Sequence, residues 1–368
     1  MRDYIETSFP PKILENDSEK RISIYMPTHR TAPDNRQDAI RFKNIVSEIE
    51  ETGNFKEQVK KLRELEKNQE FWLYNLDSIA VLIDEEDMAI YRLARDVEKY
   101  YEIGKRFYIK PLIRNYQSDE TYHALGLARD EFKLFKGNRY GFREIKVDDE
   151  ERLLENVLGD QLEGGRLNVV SHGGNVGNFH GHGAKRDEIK IDTKRFFHHV
   201  DDYIYDNFSK KERIPLILIT PTEHQSLFRE ISDNNYLVDK GINKYYGSIK
   251  EKDLKNALWD VLQPIYNEKT ADLLKKYHVG VNDDEATNNI QDTLDAILND
   301  RVKTLVLAAN KRIFGDIDTE KSSYTMNESG EDIFNHLAHL ALARGSEVII
   351  LPADKMPVGI SLFSILRF

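Results

Sequence analysis

The sequence predicts an α/β protein of three domains, and three observations lead to this prediction. Segments with the two-residue period of strands alternate along the chain with segments of helical period. The 368 residues exceed what a single hydrophobic core usually organises. A composition of 40% hydrophobic and 32% charged residues is that of a folded chain rather than a disordered one.

The first expected domain covers residues 1–117 and has mixed α/β character. Ile22–Met26 alternates in polarity and predicts a strand, and the Pro27–Arg30 segment ends it. The helix that should follow has Asp34 or Asn35 as its cap. The apolar face of this helix is expected to consist of Ile40, Ile45, Val46 and Ile49. The elements expected after it are a helix over 56–67, a hairpin of Ser78–Ile83 with Met88–Leu93, and a strand at Tyr108–Ile113.

The second expected domain covers residues 118–250 and contains a long loop rich in glycine and histidine, 159–190. Eight of the chain's 20 glycines lie between Gly159 and Gly183, where no period is sustained, and long loops of this kind are usually functional or disordered. Around the loop we expect strands Ala124–Phe135 and Phe142–Val147 with a turn at 136–138, a helix Ile191–Phe208, a doubly buried strand Ile214–Thr220, and a helix Glu223–Ser232.

The third expected domain covers residues 251–368. A long amphipathic helix around Lys252–Tyr277 opens it, and helices and strands then alternate. This alternation predicts an α/β sandwich with a largely parallel sheet. The elements are helices at 285–298 and 330–344 and strands at 302–309, 347–352 and 360–366.

Charge and composition exclude several classes of function. A formal net charge of -11 argues against a protein that coats nucleic acid through bulk charge, although the segment His180–Arg195 is locally cationic. Since the chain has no cysteine, disulfides, thiolate metal sites and cysteine nucleophiles are absent. Neither a signal-peptide pattern nor an apolar run of roughly 20 residues is present, so we expect a cytoplasmic protein with no membrane partner.

The loop Ser171–Arg186 is the most informative local feature. Its glycines allow backbone amides to approach a ligand closely, which suits insertion into a crowded site. One interpretation is a metal site formed by His172, His180 and His182, with His198 or His199 from the next helix. His198 and His199 cannot both bind one ion without strain, because the side chains of adjacent helical residues point about 100° apart. The alternatives are contact with RNA or a partner protein, and a loop with exposed histidines that bind nothing.

A second polar region follows the first strand. Arg30, Arg36, Arg41 and Lys43 lie around the strand end and helix start, where they could contact phosphate oxygens. Equally, Arg36 and Asp38 could form an internal capping and ion-pair network. No nucleophile elbow, phosphate-binding Gly-Lys-Ser/Thr loop, dinucleotide fingerprint or His-Glu-x-x-His motif occurs, so the sequence offers no positive sign of a hydrolase, nucleotide-binding protein or zincin.

Three stretches together resemble one family, the bacterial relatives of the archaeo-eukaryotic class-one release factors and Pelota, which include Balon-like ribosome hibernation factors. Ser23–Arg30 with Asn35–Asn44 resembles the start of the family's N-terminal domain, and 331–357 with Ile365–Phe368 resembles its C-terminal domain. The segment Gly173–Glu188 and the helix after it occupy the place of the catalytic loop and helix. The resemblance implies an RNase H-like middle domain.

Two departures from the family bear on function. Release factors hydrolyse peptidyl-tRNA with a Gly-Gly-Gln loop, but no glutamine lies between His172 and Arg195. Of the stop-codon motif Asn-Ile-Lys-Ser, Gly53–Glu57 retains only part. The resemblance therefore implies a factor that occupies the ribosomal A site in hibernation or stress without reading codons, and it favours a non-enzyme over an enzyme.

The implied partners are rRNA of the decoding and peptidyl transferase centres and a translational GTPase such as elongation factor Tu, with no cofactor and no metal. Two alternatives stay open. The first is a peptidyl-tRNA hydrolase or rescue factor in which His180 or His182 serves as general base. The second is a metal-dependent hydrolase outside translation. The expected RNA-binding residues are Arg30, Arg36, Arg41, Lys43, Gly173, Gly174, His180, Gly181, His182, Gly183, Lys185, Arg186 and Lys190.

Overall fold

A computed structural model of the chain describes residues 4–93, 95–117, 121–139, 141–162 and 182–368, with the side chains of 182–186 left out. The chain divides into two compact units. One combines Met1–Gln117 with Thr270–Phe368, and the other is Ser118–Lys269. The expected α/β class is confirmed, and the three-domain division stays a prediction.

A five-stranded sheet forms the N-terminal part of the first unit. Its strand order is β1-β4-β3-β2-β5, and every pairing is antiparallel except that of β1 with β4. The predicted first strand and the hairpin are confirmed, whereas β1 and β5 were not predicted. The strands are β1 (Ile5–Glu6), β2 (Arg21–Pro27), β3 (Ser78–Ile83), β4 (Met88–Leu93) and β5 (Tyr100–Gly104).

The helices of this part are α1 (Asp38–Glu51), α2 (Lys56–Lys67), α3 (Gln69–Leu73) and α4 (Lys110–Tyr116). A 3-10 turn precedes α1, and neither Asp34 nor Asn35 caps it, so that expectation was wrong. The buried face of α1 begins at Phe42 and continues through Ile45, Val46 and Ile49. Ile40 was also assigned wrongly, because its side chain is 60% exposed.

The segment Tyr108–Ile113 is the clearest error in the N-terminal part. It was expected to be a strand, but most of it lies in α4. An apolar run this short fits a buried strand and a buried helix equally well. Here β5 already occupies the sheet edge beside β2. Leu112 and Ile113 pack in the core from the helix, and Ile109 does so from the position just before it.

The second unit contains a four-stranded sheet in the order β8-β7-β6-β9, made of β6 (Tyr122–Leu127), β7 (Phe132–Asn138), β8 (Gly141–Ile145) and β9 (Leu216–Ile219). The expected single strand Ala124–Phe135 is two antiparallel strands. The turn expected at 136–138 was also wrong, because these residues lie in β7, whose last residue, Asn138, pairs with Gly141 of β8. As predicted, β9 is buried throughout, and it runs parallel to β6. The helices are α5 (Asp149–Arg152), α6 (Leu154–Leu158), α7 (His182–Ile204), α8 (Lys210–Glu212) and α9 (Thr222–Ile231). The long helix α10 (Glu251–Asn282) begins in this unit, and its residues from Thr270 onward belong to the first unit.

The C-terminal part of the first unit carries two sheets. One has the order β10-β16-β11-β15 and the other the order β13-β12-β14. Only β11 and β15 pair in parallel, so the expectation of a largely parallel sheet was wrong. The elements are β10 (Ala286–Thr287), α11 (Ile290–Leu298), β11 (Val302–Ala308), β12 (Phe314–Asp318), β13 (Ser323–Met326), β14 (Glu331–Asp332), α12 (Ile333–Ala343), β15 (Glu347–Leu351) and β16 (Leu362–Leu366).

The first and last parts of the chain share one hydrophobic core. Leu82 and Leu112 from the N-terminal part belong to the same buried cluster as Leu307 and Leu337 from the C-terminal part. Polar contacts reinforce this packing, because the amide of Asn335 accepts from the Ile109 N–H at 2.8 Å and donates to a nearby carbonyl. Among the helices that the structure describes, none combines the length and apolar character needed to cross a bilayer.

Candidate functional site

The expected N-terminal site lies on the loop from β2 to α1, which a buried carboxylate holds in place. Asp38 is fully buried at the start of α1. Its Oδ2 accepts from the His29 backbone N–H at 2.7 Å, and its Oδ1 lies 2.9 Å from His29 Nδ1. The guanidinium of Arg41 approaches the same carboxylate at 3.6 Å. The expected network around Asp38 therefore exists, but its arginine is Arg41 rather than Arg36.

Arg30 is also held by the protein. Its guanidinium forms a two-point contact with the Asp77 carboxylate, with Nε to Oδ1 at 2.6 Å and Nη2 to Oδ2 at 2.9 Å. The neighbouring Thr28 donates its hydroxyl to the Leu76 carbonyl at 2.8 Å. Because a planar guanidinium paired in this way is fixed in direction, Arg30 orients the loop.

Arg36 and Lys43 differ from these two arginines. Both are exposed, and within the described part of the chain neither side chain has an ion pair or hydrogen bond. They lie on the same loop and helix start that Asp38 fixes. Both cations are free to contact phosphate oxygens, and ordering their long side chains on a partner costs conformational entropy.

The partial stop-codon motif lies at the turn between α1 and α2. Phe55 is buried, whereas Lys56 is exposed at the first position of α2. Beside this turn is a shallow groove of about 570 Å³, which Lys60, Arg63 and Lys67 also line. Glu50 and Glu64 line the groove as well, and Arg63 is paired with Glu50 at 2.5 Å and with Glu66 at 2.8 Å. The lining therefore has only a small excess of positive charge.

Most of the glycine- and histidine-rich loop lies outside the described residues. This applies to Gly173, Gly174, His180 and Gly181, and also to His172 of the metal hypothesis. The helix after the loop starts at His182 rather than at the expected Ile191, so Gly183, Lys185 and Arg186 belong to the first turns of α7. Lys190 is exposed on the same helix.

The helix α7 is anchored by its apolar face. Phe196, Val200 and Ile204 are completely buried against the sheet of the second unit, as their helical spacing predicted. His198 is exposed, whereas His199 lies 3.2 Å from the Glu151 carboxylate. The adjacent histidines therefore diverge as expected. In the described ranges, no group of histidines and carboxylates has the arrangement of a metal site.

One buried titratable group in the second unit was not predicted. His123 lies in β6 with its ring wholly buried, and its Nε2 is 3.4 Å from the Glu212 carboxylate, which Lys136 also contacts at 2.6 Å. Burial lowers the pKa of His123, an effect that Glu212 opposes. No local pattern signals this cluster, because its three members come from separate elements. A buried, neutral His123 ring has a structural role in the core and is not placed to exchange a proton with a ligand.

The described part of the candidate site is thus an exposed cationic surface on the N-terminal loop of the first unit. In the second unit, the first turns of α7 carry Lys185, Arg186 and Lys190 in the sequence. Residues 120–264, less than half of the chain, match the model of the Bacterial archaeo-eukaryotic release factor family 6. This middle segment is therefore similar to the bacterial relatives of the archaeo-eukaryotic release factors, and the resemblance expected from the sequence is confirmed. Among curated proteins, none matches the chain.

Solved structures show distant similarity. An archaeal translation termination factor, aRF1, is 16% identical over 97% of this chain and 95% of its own, with a TM-score of 0.27. Dom34 of S. cerevisiae, described as a translation termination-like factor that interacts with Hbs1, is 12% identical over 79% and 74%, with a TM-score of 0.40. A ribosome-bound archaeal Pelota, described together with ABCE1, is 12% identical over 80% of each chain, also at 0.40. At these TM-scores we draw no functional conclusion from them.

Proposed function

We propose that this protein is a ribosome-binding translation factor that occupies the A site in hibernation or stress and does not read codons. The observation that carries the proposal is the match of residues 120–264 to a release-factor family. Fold alone does not fix function, so the proposal rests equally on how this chain departs from release factors.

Those departures favour occupancy without chemistry. The segment between His172 and Arg195 contains no glutamine to position an attacking water. The turn Gly53–Glu57 keeps only part of the stop-codon motif, and its Phe55 is buried. A factor with neither residue set can hold the A site and leave both the codon and the peptidyl-tRNA ester untouched.

The charge distribution supports selective rather than general RNA binding. Arg36 and Lys43 supply exposed cations in a chain of net charge -11. Phosphate contacts position a protein on RNA, whereas surplus negative charge opposes binding elsewhere. On this proposal the N-terminal part meets the decoding centre, and the Gly173–Arg186 loop reaches toward the peptidyl transferase centre. The C-terminal part contacts the ribosome or a translational GTPase, for which elongation factor Tu stays a prediction.

Co-sedimentation of the full chain with vacant bacterial ribosomes tests the proposal. We expect binding that A-site tRNA abolishes and that weakens as salt is raised. The variant Arg36→Gln/Lys43→Gln should bind more weakly, whereas Lys12→Gln, an exposed lysine elsewhere in the N-terminal part, should bind normally. Binding that A-site tRNA does not affect would contradict the proposal.

A peptide-release assay on the same complexes separates silent occupancy from the hydrolase alternative. We expect no release of peptide from peptidyl-tRNA at saturating protein. Release that is lost in His180→Ala or His182→Ala would instead assign the loop histidines the role of general base and would overturn the non-enzymatic part of the proposal.

A further inference from the structure

A cavity of about 900 Å³ lies within the first compact unit, between the chain segments 95–114 and 309–314. Its lining includes two acidic side chains, Asp96 and Glu98, against six cationic ones. In a chain of net charge -11 this is a marked local excess of positive charge. The six cations are Arg95, Lys99, Lys110, Arg114, Lys311 and Arg312.

Lys110 shows that this charge is built into the fold. Its side chain is 1% exposed, and its ammonium donates to the Lys311 carbonyl at 2.5 Å and to Asp332 Oδ2 at 3.2 Å. Burying an ammonium is costly unless hydrogen bonds and a counter-charge compensate it. The protein supplies both, so a cation is fixed in the wall of the cavity.

Arg312 is fixed by aromatic rings. Its guanidinium carbon lies 3.7 Å from the centre of the Tyr100 ring and 4.7 Å from that of Tyr108. The Tyr100 hydroxyl is in turn hydrogen-bonded to the Glu102 carboxylate. A guanidinium stacked in this way keeps its position before any ligand arrives, which lowers the entropy lost on binding.

Arg114 provides a second, independent observation. Its Nε is buried, and among the described residues it has no hydrogen-bond partner. A buried donor without an acceptor is unfavourable. Because the Arg114 side chain lines the cavity, a turn of its guanidinium toward a ligand would give this Nε an oxygen acceptor. The exposed ammonium of Lys311 and the half-exposed ring of Phe314 lie on the same lining.

From this arrangement we propose that the cavity binds a small molecule that carries two or more linked phosphates, such as a nucleoside diphosphate or triphosphate. Guanidinium and ammonium groups are the side chains best suited to phosphate oxygens. The volume falls within the range of about 300–1,000 Å³ that is usual for small-ligand sites. A concave wall with a buried lysine suits a compact anion better than an extended RNA backbone.

Calorimetric titration of the isolated full chain tests the proposal without ribosomes, so its failure is distinct from a failure of the proposed function. The probes are inorganic triphosphate, ATP and adenosine. We expect triphosphate and ATP to bind and adenosine not to bind. Tighter binding of ATP than of triphosphate would mean that a base adds contacts on the aromatic lining, and equal binding would mean that the phosphates suffice; both results support the proposal.

Three variants locate the binding. Arg114→Gln and the exposed Lys311→Gln should each weaken triphosphate binding about tenfold. Lys276→Gln, an exposed lysine on α10 in the same unit, should leave it unchanged. The proposal is overturned if triphosphate and ATP do not bind at about millimolar concentration, or if Lys311→Gln binds like the parent chain. Displacement of triphosphate by a short RNA at much lower concentration would also overturn it, since the cavity would then be part of an RNA surface.

Discussion

Two cationic regions of the first unit are built in opposite ways. The surface at 28–43 comes from one short stretch of sequence, and its free cations, Arg36 and Lys43, are exposed. The cavity takes its cations from two segments about 200 positions apart in sequence. Its central members, Lys110 and Arg312, are held by Asp332 and by two tyrosine rings.

This difference separates two kinds of anion recognition. Exposed cations on a rigid loop suit a large, flat partner such as folded RNA, and their contribution is screened by salt. Cations that are buried and oriented before binding suit a small anion that enters a concavity. One protein can therefore contain both a surface for RNA and a cavity for a small anion, because the two recognise different kinds of partner.

Among the single substitutions, replacing the counter-charge of the cavity should produce the largest change in stability at neutral pH. Asp332→Ala removes the partner of Lys110 and the acceptor of the Phe334 and Ile313 N–H groups. A buried ammonium left without its partner costs about 3–5 kcal/mol in the free energy of unfolding. Denaturant unfolding measures this loss.

The matched control for this measurement is an exposed ion pair. Glu85 contacts Lys20 at 3.5 Å, and both side chains are more than half exposed, so Glu85→Ala should cost less than about 1 kcal/mol. Adding Lys110→Met to Asp332→Ala should restore part of the stability, because no charge is then buried alone. Equal losses in Asp332→Ala and Glu85→Ala would contradict the buried-cation account.

Acid should weaken the first unit through two histidines of α12. Burial lowers the pKa of His336 to about 3 and that of His339 to about 4, from the ordinary 6.5. Below pH 6.5 the unfolded chain therefore binds protons that the folded chain does not. Stability is complete above this pH and falls towards pH 4, by about 1.4 kcal/mol per pH unit for each histidine.

Unfolding followed across this pH range checks the expectation. His336→Gln/His339→Gln should flatten the pH dependence, whereas His278→Gln, at an exposed position on α10, should not. If the parent chain were as stable at about pH 5 as at about pH 7, the two rings would not be buried as neutral groups.

The N-terminal loop should depend on one carboxylate. Asp38→Ala removes the acceptor of the His29 N–H and the partner of its ring nitrogen, and it should cost about 2–3 kcal/mol. Arg30→Ala breaks a partly exposed pair with Asp77 and should cost about 1 kcal/mol. Hydrogen exchange of the His29 backbone amide should accelerate in Asp38→Ala but not in Arg30→Ala. Faster exchange in both variants would mean that Arg30 also holds the loop in place.

The smallest effect on stability is expected at the exposed cations. Arg36→Gln/Lys43→Gln should leave the unfolding free energy within about 0.5 kcal/mol of the parent chain. The ribosome affinity of this variant should nevertheless fall less steeply as salt is raised. The change in the slope of log K against log[salt] should correspond to the loss of up to about two phosphate contacts. An unchanged salt dependence would remove this surface from the proposed RNA contact.

A feature of the fold could be predicted from the sequence where it depends only on residues close together in the chain. Strand β2, the β3–β4 hairpin and the buried face of α7 follow from periodicity, which neighbouring residues alone determine. The segment Tyr108–Ile113 was misassigned because a short apolar run fits either element. The C-terminal sheet is mixed because β16 pairs antiparallel with β11, and strand direction is set by tertiary pairing rather than by local pattern.

The candidate sites divide in the same way. Arg36 and Lys43 stand out in the sequence because they lie in one polar stretch. The cavity could not be found from sequence, since Lys110 and Asp332 meet only after the two ends of the chain form a single core. The glycine- and histidine-rich loop stays a prediction, because 163–181 lie outside the described residues.

Chemical probing of rRNA in the ribosome complex tests the central claim most directly. The account predicts that the protein protects nucleotides of the decoding centre and of the A-site side of the peptidyl transferase centre in one complex. It also predicts that Arg36→Gln/Lys43→Gln weakens protection at the decoding centre first. Stable binding that protects neither centre would contradict A-site occupancy.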